Sequence, residues 1–134
     1  MGNDTLMETK YCKECKATKP VEDFYKNTFR GCSQGLFGEC IECHKKRSTE
    51  RRCRVEYGIT YEYYLECMAT SDVCEICGTN ENLVYDHCHD SMAFRGVLCR
   101  SHNVALGKLG DNLEGVKKAY NYLITHEEKQ NEIN

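Results

Sequence analysis

One short stretch of the chain, Asp86-His87-Cys88-His89, brings a carboxylate and two imidazoles together. Asp86 is a hard oxygen donor and the amide of Asn103 offers another, so both suit Mg²⁺ or Mn²⁺ better than zinc. His87 is the expected general base, because imidazole titrates near neutrality and takes a proton from water. We expect His89 to bind the metal or to contact a phosphate oxygen. These residue types predict metal-assisted hydrolysis by a small nuclease.

A second set of residues frames this stretch with the spacing of a structural zinc site. Cys74-x-x-Cys77 precedes it and Cys99-x-x-His102 follows it. Three thiolates and one imidazole are an ordinary zinc ligand set, and four protein ligands leave no position for water. One alternative is a second zinc held by residues 86–89, although adjacent residues rarely converge on one ion. Another is a catalytic His102 beside Asn103.

A similar pattern stands nearer the N-terminus, where Cys12-x-x-Cys15 and Cys40-x-x-Cys43 bracket a glycine-containing segment. Two such pairs predict a zinc ribbon or treble clef. Cys32 and His44 are alternative ligands nearby. Two structural zinc ions per chain are therefore expected.

The composition also favours metal. The chain has 134 residues, about one domain, and its 11 cysteines are an odd number that argues against a complete disulfide framework. The N-terminal segment lacks the apolar run of a signal peptide, and no stretch approaches the ~18 apolar residues of a membrane helix. We expect an intracellular, reducing location without a membrane partner, where paired cysteines bind metal more often than they form disulfides.

Basic charge is concentrated in one segment, although the formal net charge is −3. Between His44 and Arg54 a single acid, Glu50, accompanies the basic residues Lys45, Lys46, Arg47, Arg51, Arg52 and Arg54. The segment is either a solvated connecting helix or an arm that contacts phosphates, because so many cations on one helix repel each other without an anionic partner. Arg95 joins this set of candidate nucleic-acid contacts.

The elements that must position these groups can be predicted from the pattern of apolar residues. Residues 44–56 favour a helix that ends before Gly58, and Thr60 is a suitable N-cap for the next one. The apolar face of that second helix, which is more often core than a stacking surface, consists of Tyr61, Tyr64, Leu65 and Met68.

Two strands and two helices are predicted farther along. Residues 83–87 and 94–99 favour strands joined by a short loop, and residues 101–108 favour a helix. Asp111 or Asn112 can cap a last helix. Its apolar face, expected to be core or a dimer surface, consists of Leu113, Val116, Tyr120, Leu123 and Ile124.

The first of these strands presents a geometric difficulty. On an ideal strand His87 and His89 share one face and Asp86 points to the other. The strand must therefore bend or end near Asp86 if these groups are to serve one metal.

The motifs together resemble the HNH, or ββα-metal, nucleases, and in particular the recombination endonuclease VII family of phages. The resemblance covers roughly residues 57–110. It rests on Tyr57-Gly-Ile-Thr60, Cys74-Glu-Ile-Cys77-Gly78, Asp86-His87-Cys88-His89, and Arg95-Gly-Val-Leu-Cys99-Arg-Ser-His-Asn103-Val-Ala-Leu-Gly107.

The resemblance implies that Asp86 and Asn103 hold a catalytic Mg²⁺, that His87 activates water, and that His89 assists at the metal or the phosphate. It implies DNA as the partner, the host cytoplasm as the location, and phosphodiester hydrolysis that leaves a 5′-phosphate. Three residues depart from the family pattern. His102 stands for the usual Cys ligand, Cys88 for the usual Asp between the histidines, and Leu106 for a helix carboxylate.

The expected fold is a small α+β protein, with a ββα-metal (HNH) nuclease core stabilised by structural zinc behind an N-terminal four-cysteine module, like a zinc ribbon or treble clef, and helices. The predicted division is a flexible N-terminus (1–10), the four-cysteine module (11–44), a basic linker helix with a second helix (45–69), the nuclease core (70–110), and a C-terminal helix and tail (111–134).

The leading hypothesis is a Mg²⁺-dependent HNH DNA endonuclease. Junction resolution, nicking and site-specific cleavage all stay open, as does a homodimer. The alternative is a non-catalytic double-zinc adaptor that binds nucleic acid, which would need no imidazole beside Asp86. A zinc-dependent redox protein is a distant third.

Overall fold

A computed structural model describes residues 8–27 and 35–131, with side chains to residue 127. Cys32 and most of the predicted N-terminal tail lie outside these ranges. The chain divides into two compact units, Met1–Glu56 and Tyr57–Asn134, with the boundary inside the segment predicted as linker helix and second helix. The described residues form four helices and two small sheets, which confirms the small α+β class.

The first unit combines a short hairpin with one helix. Strand β1 (Thr9–Tyr11) pairs antiparallel with β2 (Thr18–Pro20), a 3-10 turn follows at Val21–Asp23, and α1 spans Ile41–Arg52. Helix α1 continues into a π-helical turn, Cys53–Tyr57. The chain then leaves the helix at Gly58, whose φ of 67° is the left-handed conformation that glycine adopts without strain.

The second unit contains α2 (Tyr61–Met68), β3 (Leu83–His87), β4 (Phe94–Cys99), α3 (Arg100–Lys108) and α4 (Leu113–Asn131). Both strands have the predicted bounds and pair antiparallel. None of the described helices is both long and apolar enough to span a membrane.

The predicted faces of two helices need correction. Thr60 caps α2 as predicted, since its hydroxyl accepts from the Tyr63 amide at 3.1 Å. However, Leu65 is 47% exposed, and the buried residue of α2 is Cys67. The buried side runs through Tyr64, whose ring lies 5.7 Å from that of Tyr85 on β3.

The apolar face of α4 is not core either. Leu113, Tyr120 and Leu123 are 69%, 61% and 59% exposed. Periodicity predicts that a helix has an apolar face, but not whether another element covers it. A dimer surface on this face stays a prediction.

Candidate metal centres and active site

The first metal centre joins the turn of a hairpin to the start of a helix. Cys12 and Cys15 lie in the connection between β1 and β2, which turns back at Lys16 with a φ of 57°. Cys40 is the N-cap of α1 and Cys43 lies in its first turn. The structure brings the four sulfur atoms within 4.8 Å of one another.

The environment of Cys12 favours its thiolate. Burial raises the pKa of this thiol, but backbone N–H groups, first among them that of Cys40, lower it to about 6. The Cys40 amide lies 3.2 Å from the sulfur. Metal ligation requires the deprotonated thiol, and these amides favour it at Cys12. At Cys43 the contact with the Cys40 side chain, and next burial, raise the pKa to about 12, so the amides favour the thiolate of one ligand and not of the whole set.

His44, an alternative ligand on sequence grounds, has other partners. Its Nδ1 lies 2.8 Å from Oε1 of the buried Glu39, and its ring packs edge-on against Tyr25 and Phe37. The described part of the chain thus assembles the four paired cysteines and leaves His44 outside their cluster.

The second centre repeats the same construction. Cys74 and Cys77 lie in a tight turn that Gly78 closes with a φ of 72°, and Cys99 is the N-cap of α3. His102, in the first turn of α3, places Nδ1 3.2 Å from the Cys99 sulfur and 3.7 Å from that of Cys74.

The donor sets and spacings of both clusters fit zinc. A tetrahedral ion with Zn–S bonds of ~2.3 Å requires ligand atoms ~3.8 Å apart. The sulfur atoms of Cys12 and Cys43 are 3.9 Å apart, close to that value. The small hydrophobic cores of both units include these cysteines, so a metal in each cluster would replace the apolar burial that such short segments lack.

The β3–β4 ladder is irregular at Asp86, near the position where the sequence required β3 to bend or end. The register shifts between Asp86, which pairs with Gly96, and His87, which pairs with Phe94. Arg95 is therefore the extra residue of a β-bulge. A bulge re-aims side chains, and this one directs the Arg95 guanidinium at Asp86.

Four side chains around the bulge form one ion-pair network. Arg95 donates from Nε to Asp86 Oδ2 at 2.8 Å and from Nη2 to Oδ1 at 2.9 Å. Its Nη2 also pairs with Asp111, whose other oxygen lies 2.6 Å from Nδ1 of His89. The two carboxylates raise the pKa of Arg95 further above its ordinary value. Although burial opposes it, contact with Arg95 and His89 lowers the pKa of Asp111.

His87 lies outside this network, in an aromatic pocket. Its ring centroid is 5.0 Å from that of Tyr57 and 5.9 Å from that of Tyr85. Burial, and next the neighbouring His89, lower the pKa of His87 below its ordinary value. The imidazole is thus neutral near pH 7 and can accept a proton.

Comparison with known proteins assigns the family. The family model for recombination endonuclease VII matches residues 50–125, more than half of the chain. This chain belongs to the recombination endonuclease VII family. The family resemblance that the motifs predicted is thereby confirmed. No curated protein matches the chain.

A solved structure, the ββα-Me type II restriction endonuclease Hpy99I, is similar to this recombination endonuclease VII family member at 26% sequence identity with a TM-score of 0.42. The alignment covers 88% of this chain and 66% of that enzyme, so this chain spans slightly less than two thirds of its length.

The family match contains the whole second centre and the network, whereas the first cysteine cluster precedes it. Asn103 also falls within the match, half-buried on α3. Within the described part of the chain, no hydrogen bond joins Asn103 to Asp86. The structure thus brings Asp86, His87 and His89 together at the end of β3 and leaves Asn103 on the adjoining helix.

Cys88, which stands where the resemblance led us to expect Asp, occupies a turn position. Its amide donates to the Ala93 carbonyl at 2.9 Å, and its carbonyl accepts from Met92 at 2.8 Å. Contacts from the Ser91 side chain, then from the Ser91 and Asp90 amides, lower the pKa of the thiol. In an Asx-turn an Asp side chain accepts hydrogen bonds from amides at the same positions, so the Cys88 thiol occupies the position of an Asx-turn side chain.

The basic residues of α1 and of the π-helical turn that follows it separate into two groups. His44, Arg47, Arg51 and Arg54 line a concavity of about 380 Å³, to which Ser48 and the acid Glu50 also contribute. Lys45, Lys46 and Arg52 lie outside it, and Lys46 pairs with Glu50 at 3.8 Å. The spacing of the first group, three or four residues at each step, places its members on one helical face.

Sequence reasoning missed Asp111 as a site residue. It considered this residue only as a cap of α4, but Asn112 is the cap, since its Oδ1 accepts from the Gly115 amide at 2.9 Å. The sequence did contain one signal: Asp111 and Asn112 are two consecutive polar residues, whereas a helix needs only one N-cap.

Proposed function

We propose that this chain is an HNH-type DNA endonuclease that depends on Mg²⁺ or Mn²⁺ and hydrolyses phosphodiester bonds. The observation that carries the proposal is the end of β3 opposite the bulge in β4. There a buried carboxylate, Asp86, adjoins His87, whose pKa burial lowers, in a member of an endonuclease family.

The oxygen donors of this site suit a hard cation. Arg95 uses two of the roughly four lone-pair positions of the Asp86 carboxylate, which leaves others for a ligand. We infer that Asp86 and Asn103 hold the ion. Bound there, it would polarise the scissile phosphate and stabilise the leaving 3′ oxygen.

The other residues of the site supply binding and proton transfer. His87 takes the proton from the attacking water, and its aromatic pocket keeps the imidazole neutral for that purpose. His89, whose side chain is 65% exposed, contacts the phosphate or the ion. The charge of Arg95 is offset by two carboxylates, so we assign it a phosphate contact only at the site itself.

The principal phosphate-binding surface of the proposal consists of His44, Arg47 and Arg51 of α1 and Arg54 of the π-helical turn. Lys45, Lys46 and Arg52 contribute through their charge alone. Backbone phosphates are bound by such clusters without sequence selection. Junction resolution, nicking and double-strand cleavage are therefore outcomes for substrate tests.

The two cysteine clusters are proposed as structural zinc sites, with Cys12, Cys15, Cys40 and Cys43 in the first and Cys74, Cys77, Cys99 and His102 in the second. The thiolates would be preserved in a reducing intracellular compartment. Metal analysis of the purified chain should give two zinc ions. A measured content of one zinc ion per chain would refute one of the two proposed zinc sites. A homodimer stays a prediction, and a monomeric mass in light scattering would refute it.

The decisive experiment is cleavage of supercoiled plasmid and of a four-way junction, with Mg²⁺ or EDTA. We expect cleavage that requires the cation and that falls by about 10²–10⁴-fold in His87→Ala. His126→Ala is the matched control, because this histidine lies on α4 and contacts only the Tyr122 carbonyl and ring among the described residues.

Cleavage that persists in His87→Ala would remove the assigned base. Binding of either DNA without any cleavage under all cation conditions would favour the double-zinc adaptor instead.

A further inference from the structure

The loop between α3 and α4 turns one carboxylate back into the site. Asp111 is only 14% exposed at its side chain, and its backbone φ is 57°. Its Oδ2 lies 2.6 Å from His89 Nδ1 and also accepts from the His89 amide at 3.3 Å. Its Oδ1 pairs with the Arg95 guanidinium.

The backbone conformation indicates that Asp111 has a specific task. A left-handed residue with a side chain costs about 1 kcal/mol or more, and Asp tolerates it better than most. Capping does not explain the residue, since Asn112 caps α4. A residue that only anchors the loop would need one contact. Asp111 instead uses one carboxylate oxygen for His89 and the other for Arg95.

We propose that Asp111 is a positioning residue of the nuclease site, which holds the His89 imidazole by Nδ1 and fixes the Arg95 guanidinium against Asp86. This inference rests on the proposed function. A carboxylate at Nδ1 keeps the proton on that nitrogen, because the N–H donates to it. The Nε2 atom is then the one with which His89 meets a phosphate or an ion.

The same carboxylate also balances charge across the site. Arg95 is the only described cation paired with Asp86, and Asp111 shares that guanidinium. Loss of the Asp111 side chain would leave Asp86 as the one carboxylate paired with Arg95 among the described residues, and it would release the His89 imidazole. Both changes would alter the geometry of the reacting groups, although Asp111 itself does not contact the substrate.

The test compares the zinc-loaded full chain with three variants. Asp111→Gly removes the carboxylate but suits a φ of 57°, so the loop keeps its conformation. Asp111→Asn keeps an acceptor without the charge. Asp90→Asn is the matched control, an exposed carboxylate adjacent to His89 in sequence.

The first readout is the ¹⁵N-edited NMR spectrum of the histidine rings at pH 8, where an ordinary imidazole is neutral. The His89 signals are identified by their loss in His89→Gln. We expect a proton on Nδ1 of His89 in the wild type and in Asp90→Asn. In Asp111→Gly we expect a shift towards the Nε2 tautomer, and in Asp111→Asn a partial retention of the Nδ1 form.

The second readout is plasmid cleavage. Removal of an outer partner of this kind should lower kcat by about 10–100-fold with little change in KM, and Asp111→Asn should recover part of the loss. If Asp111→Gly cleaves plasmid at the wild-type rate and its His89 spectrum is unchanged, the role assigned to Asp111 is refuted, whereas the proposed nuclease function is not affected. A wild type that cleaves neither DNA would overturn the proposed function and this inference with it.

Discussion

Two glycines on neighbouring helices provide a matched test of how closely the α3–α4 corner is packed. Both Gly107 in α3 and Gly115 in the first turn of α4 are helical. A Cβ added at Gly107 meets nothing within 4 Å, whereas one added at Gly115 would overlap the carbonyl oxygen of Leu109. That oxygen belongs to the backbone and cannot rotate away.

The expected effects have opposite signs. Alanine in place of a helical glycine stabilises by about 0.5–1 kcal/mol, which is the whole expected effect of Gly107→Ala. Gly115→Ala gains the same helical stability. Overpacking, however, costs about 1–3 kcal/mol, and we place the cost near the upper end of this range because the carbonyl cannot move away. The net loss is about 2 kcal/mol, so the two variants should differ by about 3 kcal/mol.

Urea unfolding of the zinc-loaded chain, followed by tyrosine fluorescence, measures this difference in the second unit, because most of the nine tyrosines follow residue 56. Gly115→Ala should also lower cleavage, since Asp111 lies in the displaced segment. If the two variants unfold within about 0.5 kcal/mol of each other, the reasoning fails, because surface changes without a packing effect stay within that range.

Three further predictions concern the hairpin and the basic helix. A Cβ at Gly96 would lie 2.5 Å from Oε1 of Glu75, which accepts from a β4 amide, so Gly96→Ala should cost about 1 kcal/mol in urea unfolding. In a Glu75→Ala background, Gly96→Ala should hardly change the free energy of unfolding. If the losses of the two single variants simply add in the double variant, the contact between these residues is contradicted. Cys88→Asp should unfold at the same urea concentration as the wild type, whereas Cys88→Ala should unfold at a lower one because it loses the turn bonds of the thiol. Equal losses in both would count against the turn role. In DNA-binding titrations Arg51→Ala should reduce the salt slope by about 1, whereas Arg52→Ala, outside the concavity, should reduce it by less. Indistinguishable slopes would remove the distinction between the two faces.

The features that could be predicted from the sequence are those with local causes. The strands β3 and β4 have the predicted bounds because β-branched and aromatic residues occur in short runs between polar loops. Both candidate metal clusters follow from ligand spacing, since two pairs of ligands, each pair with two residues between its members, are a usual arrangement of a tetrahedral zinc site. Thr60 caps α2 for an equally local reason.

The features that could not be predicted depend on how separate segments meet. The buried side of α2 includes Cys67 rather than Leu65 because the position of the hairpin, not the helical period, decides which side is covered. The faces of α1 and α4 likewise become distinct only when their surroundings are known. Periodicity gives the angle between residues on a helix, but not the direction in which the protein interior lies.

The network around the bulge shows the same limit at the level of chemistry. Asp86 and His89 were identified by residue type. Their partners, Arg95 for Asp86 and Asp111 for His89, come from the facing strand and from a helix connection. An extra residue in β4 and a left-handed residue after α3 were both needed to bring them there. Neither irregularity has a periodic signal in the sequence. A search for site residues in chains of this kind should therefore extend from the metal-binding motif to the bulges and positive-φ residues that adjoin it, because such conformations are maintained only where the surrounding structure repays their cost.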